Sequence, residues 1–258
     1  MTRQKKIILW LAFPIGFIAL WEVIVVVGNL PPFILPSPSL VFERFLIAVK
    51  DGTLLTHSLT TLSEMLTGLF VGTSAAIFFG YIIAKSRVFE ALISPILVSS
   101  QAIPIVAAAP LLVIWFGNGF FTKALICSLV VFFPVFVNTV IGIKSVPRQL
   151  SELAKSLNAS KWQILIMLEI PSALALFLSG LKIGATLSVI GAVVGEFIGA
   201  DEGLGFLINL GRGLFDTALV FVAVLTLMFI ALVLYGLLSW IEKSVLYWND
   251  HQKASVLK

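Results

Sequence analysis

KSVPRQLSELAKSLNASKWQILIMLEIP, residues 144–171, is helical by every local rule, yet it lies between two apolar runs, about 120–143 and 172–199. Each of those runs matches the roughly 20 residues that a helix needs to cross a bilayer core. Pro147 suits a helix start, and Leu150, Leu153, Ala154 and Leu157 recur at i, i+3, i+4 and i+7. Asn158 stands where a left-handed residue would end that helix. Ser160 with Gln163 forms a capping box for a second helix, expected to close before Pro171. The product is a helix-turn-helix with a small apolar stripe. Such a stripe needs a partner, and spacing alone leaves two open, a separate protein or the chain's own bundle.

Outward from this segment the chain is mostly apolar. Of its 258 residues 59% are hydrophobic and 12% charged, where a soluble domain has roughly 45–50% and about 25%. So few charges cannot cover a water-soluble surface, and lipid must face much of the chain. Six apolar segments are expected to span the membrane: about 7–28, 58–84, 89–116, 120–143, 172–199 and 216–241. The first follows Arg3, Lys5 and Lys6 but is too long for an export signal, and no small-residue cleavage site follows it. Cytoplasmic loops should carry the excess of Lys and Arg. With the N-terminus inside, Arg3, Lys5, Lys6, Lys85, Arg87, Lys144, Arg148, Lys155, Lys161, Lys243, Lys253 and Lys258 face inward. Only Arg44, Lys50, Lys123 and Arg212 face outward, and Lys182 falls inside a span. The expected fold is an all-α, polytopic membrane helix bundle with six transmembrane helices and both termini cytoplasmic.

Outside, PPFILPSPSLVFERFLIAVKDG at 31–52 forbids helix until Pro38 can occupy a first turn behind Ser37. Val41, Phe42, Phe45, Leu46 and Val49 then share a face, so a short helix lies on the membrane surface or packs over the bundle.

Several chemistries are excluded. The charge of +4 is not clustered on a soluble scaffold, so nucleic acid is not an expected partner. Cys127, alone in an apolar run, cannot form an internal disulfide and reads as a small buried hydrophobe. His57, in an outer loop, and His251, in the tail, fall in no metal-ligand pattern. GNGFFTK at 117–123 has the wrong spacing for a phosphate loop and lies on the outer side. No catalytic residues, metal or cofactor are expected in this chain.

The 144–171 stretch resembles the EAA loop of the membrane subunits of binding-protein-dependent ABC importers. That pattern is Glu-Ala-Ala, a Gly six residues after the Glu and Leu-Pro ending nineteen after it. Glu152, Ala154 and Pro171 match, and Ala159, Ser160, Trp162 and Gln163 fit the usual continuation. Leu153 replaces the second Ala, Asn158 the Gly and Ile170 the Leu; Asn is the next best residue for a left-handed turn. ILPSPSLVFERF at 34–45, HSLTTLSEMLTGLFVG at 57–72, IPIVAAAPLLVIWFGNG at 103–119 and GEFIGADEGLGFLI at 195–208 extend the likeness over almost the whole chain. They resemble the branch serving nitrate, sulfonates, taurine and vitamin-related compounds.

The resemblance implies a permease subunit in a prokaryotic cytoplasmic membrane. It implies a second permease copy, two ATP-binding-cassette ATPase subunits beneath and an extracytoplasmic solute-binding protein, all set in membrane lipid. Glu152, Leu153, Ala154, Leu157, Asn158, Ala159, Ser160 and Pro171 would form the ATPase-coupling loop. The implied organisation is 1–57 for the first span with the external segment, 58–242 for the permease domain and 243–258 for a cytoplasmic tail. In the third span, likeness to the vitamin branch points to riboflavin or a thiamine-precursor pyrimidine over sulfonate or nitrate.

Ionisable groups in hydrocarbon cost about 3 kcal/mol or more and usually face a cavity or a partner. Glu22, Glu64, Lys182 and Glu196 are such groups; Lys182 is expected to snorkel to the inner interface, and Glu196 to shape an outer gate. Pro95, Pro104 and Pro110 around Ala107 to Ala109 should bend the third span, and broken helices border transport pathways. Gln101, Pro104 and Trp115 are therefore pathway candidates. A self-sufficient secondary transporter would instead show two matching halves with paired interrupted spans, and none is evident here.

Overall fold

The computed structural model describes residues 3–86, 88–92 and 104–246, and side chains from residue 15 onward. Its principal helices are α1 (Arg3–Val27), α2 (Pro38–Lys50), α3 (Thr53–Lys85), α4 (Ile105–Phe116), α5 (Phe120–Lys144), α6 (Arg148–Ser156), α7 (Lys161–Phe197), α8 (Leu204–Gly213) and α9 (Thr217–Val245). No strand occurs among the described residues. Four of the helices, α3, α5, α7 and α9, are long and apolar enough to cross a membrane. Ile15–Val27 of α1 and all of α4 are apolar but shorter. The all-α, polytopic membrane fold read from the sequence is thus what the chain adopts.

The contacts divide into two compact units. The first, residues 1–60 and 201–227, holds the proline-rich segment and α2. Ser37 caps α2 as expected, accepting from the Leu40 amide at 3.3 Å, with Pro38 in the first turn. Val41 and Ala48 are the buried side of α2, while Phe42, Phe45 and Val49 are exposed. Arg44 Nε donates to Asp216 Oδ2 at 2.8 Å, and Asp216 Oδ1 accepts from the Leu219 amide in the first turn of α9. Trp21 Nε1 and Thr217 Oγ1 donate to the carbonyls of Pro36 and Phe33, pinning the proline segment. His57 is not in a loop: α3 starts at Thr53, and His57 Nδ1 accepts from the Gly203 amide at 2.9 Å. Asp51 accepts from the Thr53 amide just before α3, and that bond holds its carboxyl below the ordinary carboxylate range.

The second unit, residues 61–200 and 228–258, contains the tightest packing. Gly68, Gly72, Ala76 and Gly80 form a small-residue stripe on α3 with a four-residue repeat, and Gly180, Gly184 and Ser188 do the same on α7. Small residues let helices approach backbone to backbone, the chief source of helix association in lipid. The approach is close: a Cβ on Gly68 would lie 2.2 Å from that of Cys127, and one on Gly191 would lie 2.8 Å from the Cα of Cys127. Helix α5 sits in this seam and buries Ile126, Cys127, Val131 and Val135 completely.

Three expectations need correction. The helix capped by Ser160 does not close before Pro171 but continues to Phe197 as the long apolar helix α7. It passes the proline through a π-turn at Leu165–Glu169, in which the Ile170 amide reaches back to the Leu165 carbonyl. Proline removes one helical amide and crowds the preceding turn, and the wider π-turn absorbs both effects. Pro104 does not bend a helix: it adopts an extended conformation as the cap of α4, and Pro110 is the proline inside. The stretch 200–215, read as a connection between spans, holds α8, whose buried Leu204 and Leu207 anchor it. Pro95 and Gln101 lie outside the described residues.

Candidate functional site

The helix pair read at 144–171 is built by local chemistry alone. Helix α6 ends in a complete Schellman motif: the Asn158 amide donates to the Lys155 carbonyl at 3.0 Å and the Ala159 amide to the Ala154 carbonyl at 2.9 Å. Asn158 takes the left-handed φ of 57° that this closure demands. One residue later Ser160 Oγ accepts from the Gln163 amide while Gln163 Oε1 accepts from the Ser160 amide, a capping box that starts α7. The turn from Leu157 to Lys161 is therefore fixed by four backbone amides, two backbone carbonyls and two side chains.

What that turn presents is bare. No residue of α6 is buried, and Leu153, Leu157 and Trp162 are 56%, 73% and 68% exposed. Glu152, Leu153, Leu157, Asn158 and Ser160 are all exposed, and Ala154 and Ala159 are half-buried. Of the two partners left open by the spacing, the chain's own bundle is not the one that covers the leucines. The structure gathers Glu152 to Ser160 into one exposed helix and its closing turn, while Pro171 stands apart, exposed on α7 beyond the π-turn.

Within the membrane helices of the second unit, charges occur in pairs. Glu64 and Glu196 are fully buried. Lys123 Nζ lies 3.0 Å from Glu64 Oε1, Thr61 Oγ1 donates to Glu196 Oε1 at 2.6 Å, and the two carboxyls are neighbours. By position Lys123 reads as an outward-facing cation, and nothing in its local sequence marks it as the partner of Glu64. Lys182, expected to snorkel to the inner interface, pairs with Glu242, one residue past the expected end of the last span, and lies 5.8 Å from the Tyr235 ring centre. Near the C-terminal ends of α3 and α5, Lys85 pairs with Glu169 and Lys144 with Glu90.

A cavity of about 690 Å³ opens between α4, α5 and α7, walled by Pro104, Ile105, Ala108, Phe133, Pro134, Asn138 and Leu187 among others. Asn138 of α5 is the cavity's polar side chain, and its Nδ2 donates at 2.8 Å to the carbonyl of Pro134, which lies inside the continuous helix. Pro104 is thus on a cavity wall. Trp115 is not among the lining residues and is 67% exposed, and Glu196 belongs to the buried polar cluster instead. Among the described residues no group of His, Cys, Asp or Glu could hold a metal ion.

The chain is thus an all-helical membrane subunit that leaves an apolar, rigidly capped helix pair exposed. Residues 76–247 match the model of the binding-protein-dependent transport system inner membrane component, and the chain belongs to that family. It is a multi-pass permease subunit of an ATP-binding-cassette importer in a prokaryotic cell membrane. It works with separate ATPase subunits and a solute-binding protein, and its own role is transport rather than catalysis. The riboflavin transport system permease protein of Chloroflexus aurantiacus is 44% identical, covering 89% of this chain and 85% of its own length. The formylaminopyrimidine transport permease protein of Halalkalibacterium halodurans is 34% identical over 98% of this chain and its full length. The taurine transport system permease protein of Escherichia coli is 30% identical, over 90% of this chain and 86% of its own.

Proposed function

We propose that the exposed helix pair, Glu152 to Ser160 with Pro171 behind it, is the grip of the ATPase subunit, and that the importer's cargo is riboflavin or a related vitamin precursor. The observation that carries the first part is the bare apolar surface of Leu153 and Leu157 on a turn locked by a Schellman motif and a capping box. Nucleotide-driven closure of the ATPases would move this knob as a rigid piece, and α7 would carry the motion into the membrane.

The cargo reading rests on the relatives: the riboflavin permease is 44% identical and the formylaminopyrimidine permease 34%, against 30% for the taurine permease. Sulfonate, taurine or nitrate is the runner-up. Two copies of the chain, each crossing the membrane six times with both ends in the cytoplasm, would enclose the pathway. The 1–57, 58–242 and 243–258 divisions follow from the same topology. Pro104 and the α4–α5–α7 cavity are the described part of that pathway, with Gln101 and Trp115 as further candidates and Glu196 at its outer end. Annular lipid covers the remaining apolar faces.

The test is ATP-dependent uptake in vesicles holding the permease, its ATPase and its binding protein. Accumulation of riboflavin or of the formylaminopyrimidine, with none of taurine, is the expected result. Uptake of taurine alone would overturn the cargo, and uptake without any ATPase would overturn the mechanism.

A further inference from the structure

The π-turn at Leu165–Glu169 is the irregular backbone between the proposed ATPase grip and the membrane part of α7, and its last residue is unusual. Glu169 is 6% exposed; one carboxylate oxygen pairs with Lys85 in the last turn of α3, and the other, Oε2, is buried with no hydrogen-bond partner. Leaving a buried acceptor unsatisfied is unfavourable, so this arrangement is one the chain can readily leave. Lys85 itself is half-exposed, with its ammonium 5.6 Å from the centre of the Tyr81 ring. The other charged pair at this end, Lys144 with Glu90, engages neither partner.

The geometry of the turn supplies the rest. An α-helix rotates about 100° per residue, so the extra residue of a π-turn rotates everything beyond it by about that much. That rotation decides whether Glu169 faces α3 or swings away from it. Beside the turn lies a cavity of about 480 Å³, walled by Ile77, Phe78 and Tyr81 of α3, Ile143 of α5, and Ile170 and Phe177 of α7. A turn that changes register has room here to move side chains without tearing the helix seam.

We propose that the Lys85–Glu169 pair is a positioning contact for transport: it holds α7 against α3 in the resting transporter and parts when the ATPases close, as the π-turn changes register. This rests on the helix pair being the ATPase grip. The side chains act on the path of force, not on the cargo, and α3 and α7 can then separate at their cytoplasmic ends.

The experiment follows the Lys85 amine by acylation and peptide mass spectrometry in the full complex of permease, ATPase and binding protein, resting and trapped with ATP and vanadate. The reactivity of Lys85 should rise about fivefold or more on trapping, and in Glu169→Gln it should already be high at rest. Equal reactivity in the two states of the unmutated complex would overturn the proposal, as would a Glu169→Gln complex that behaves like wild type. A purely structural ion pair would show no dependence on nucleotide. Failure of the ATPase to assemble with the unmutated permease would be seen before any labelling, and it would count against the grip instead.

Discussion

Helices α5 and α6 are neighbours in the chain and opposites in their surroundings. On α5, Ile126, Cys127, Val131 and Val135 vanish completely among α3, α4 and α7, and even Lys123 is taken up by Glu64. On α6, no residue is buried although Leu150, Leu153 and Leu157 repeat at helical spacing. Both helices carry an apolar pattern, but only one finds its partner inside the chain. On the proposed function, the difference separates residues that hold the bundle from residues kept for another subunit, and a single kind of substitution should therefore do different damage in the two places.

The largest effect is expected at Lys123. Replacing it with Met strands Glu64 in the seam, and breaking a buried pair on one side typically costs about 3–5 kcal/mol. Thermal unfolding of the detergent-purified permease should show a correspondingly large drop, and Lys123→Met with Glu64→Gln should recover most of it. Gly191→Leu comes next: its Cβ would meet the Cα of Cys127 at 2.8 Å, where no rotamer helps. Overpacking of this kind costs about 3 kcal/mol, read by the same assay. Leu153→Asp with Leu157→Asp should leave the permease within about 0.5 kcal/mol of wild type. ATPase co-purification should nevertheless be lost, since buried apolar anchors carry about 2 kcal/mol or more of binding. A double variant that unfolds the permease and keeps the ATPase would break the comparison. The smallest effect is at the turn: Asn158→Ala puts a less tolerant residue at a φ of 57° and should cost about 1 kcal/mol, whereas Asn158→Gly should be near neutral. Urea titration of the permease would separate the two.

The helix pair was legible because its determinants are local. Asn158, Ser160 and Gln163 act on backbone groups within a few residues, so the sequence carries both ends of each bond. Ser37 and Pro38 announce α2 for the same reason. The buried cluster was only half legible. Glu64 and Glu196 stand out in apolar runs, but Lys123 sits beside Asn118, Gly119 and Thr122 and reads as a loop cation until three helices are brought together. Helix α8 was hidden by Gly203, Gly205, Gly211 and Gly213, which read as loop residues; packing of Leu204 and Leu207 outweighs their poor helix propensity. Pro171 misled in the opposite sense. A proline usually ends a helix, and the π-turn that lets α7 pass it has no signature in residue type.

The sequence holds one cysteine, Cys127, and it is fully buried, so a cysteine placed at Leu157 is the one thiol a water-soluble maleimide can reach. Its labelling rate, measured on the permease alone and on the permease assembled with its ATPase, tests the central claim most directly. The rate should fall about tenfold or more on assembly, as burial beneath a partner requires. An unchanged rate in a complex that still hydrolyses ATP would mean that the bare helix pair is not where the ATPase holds this protein.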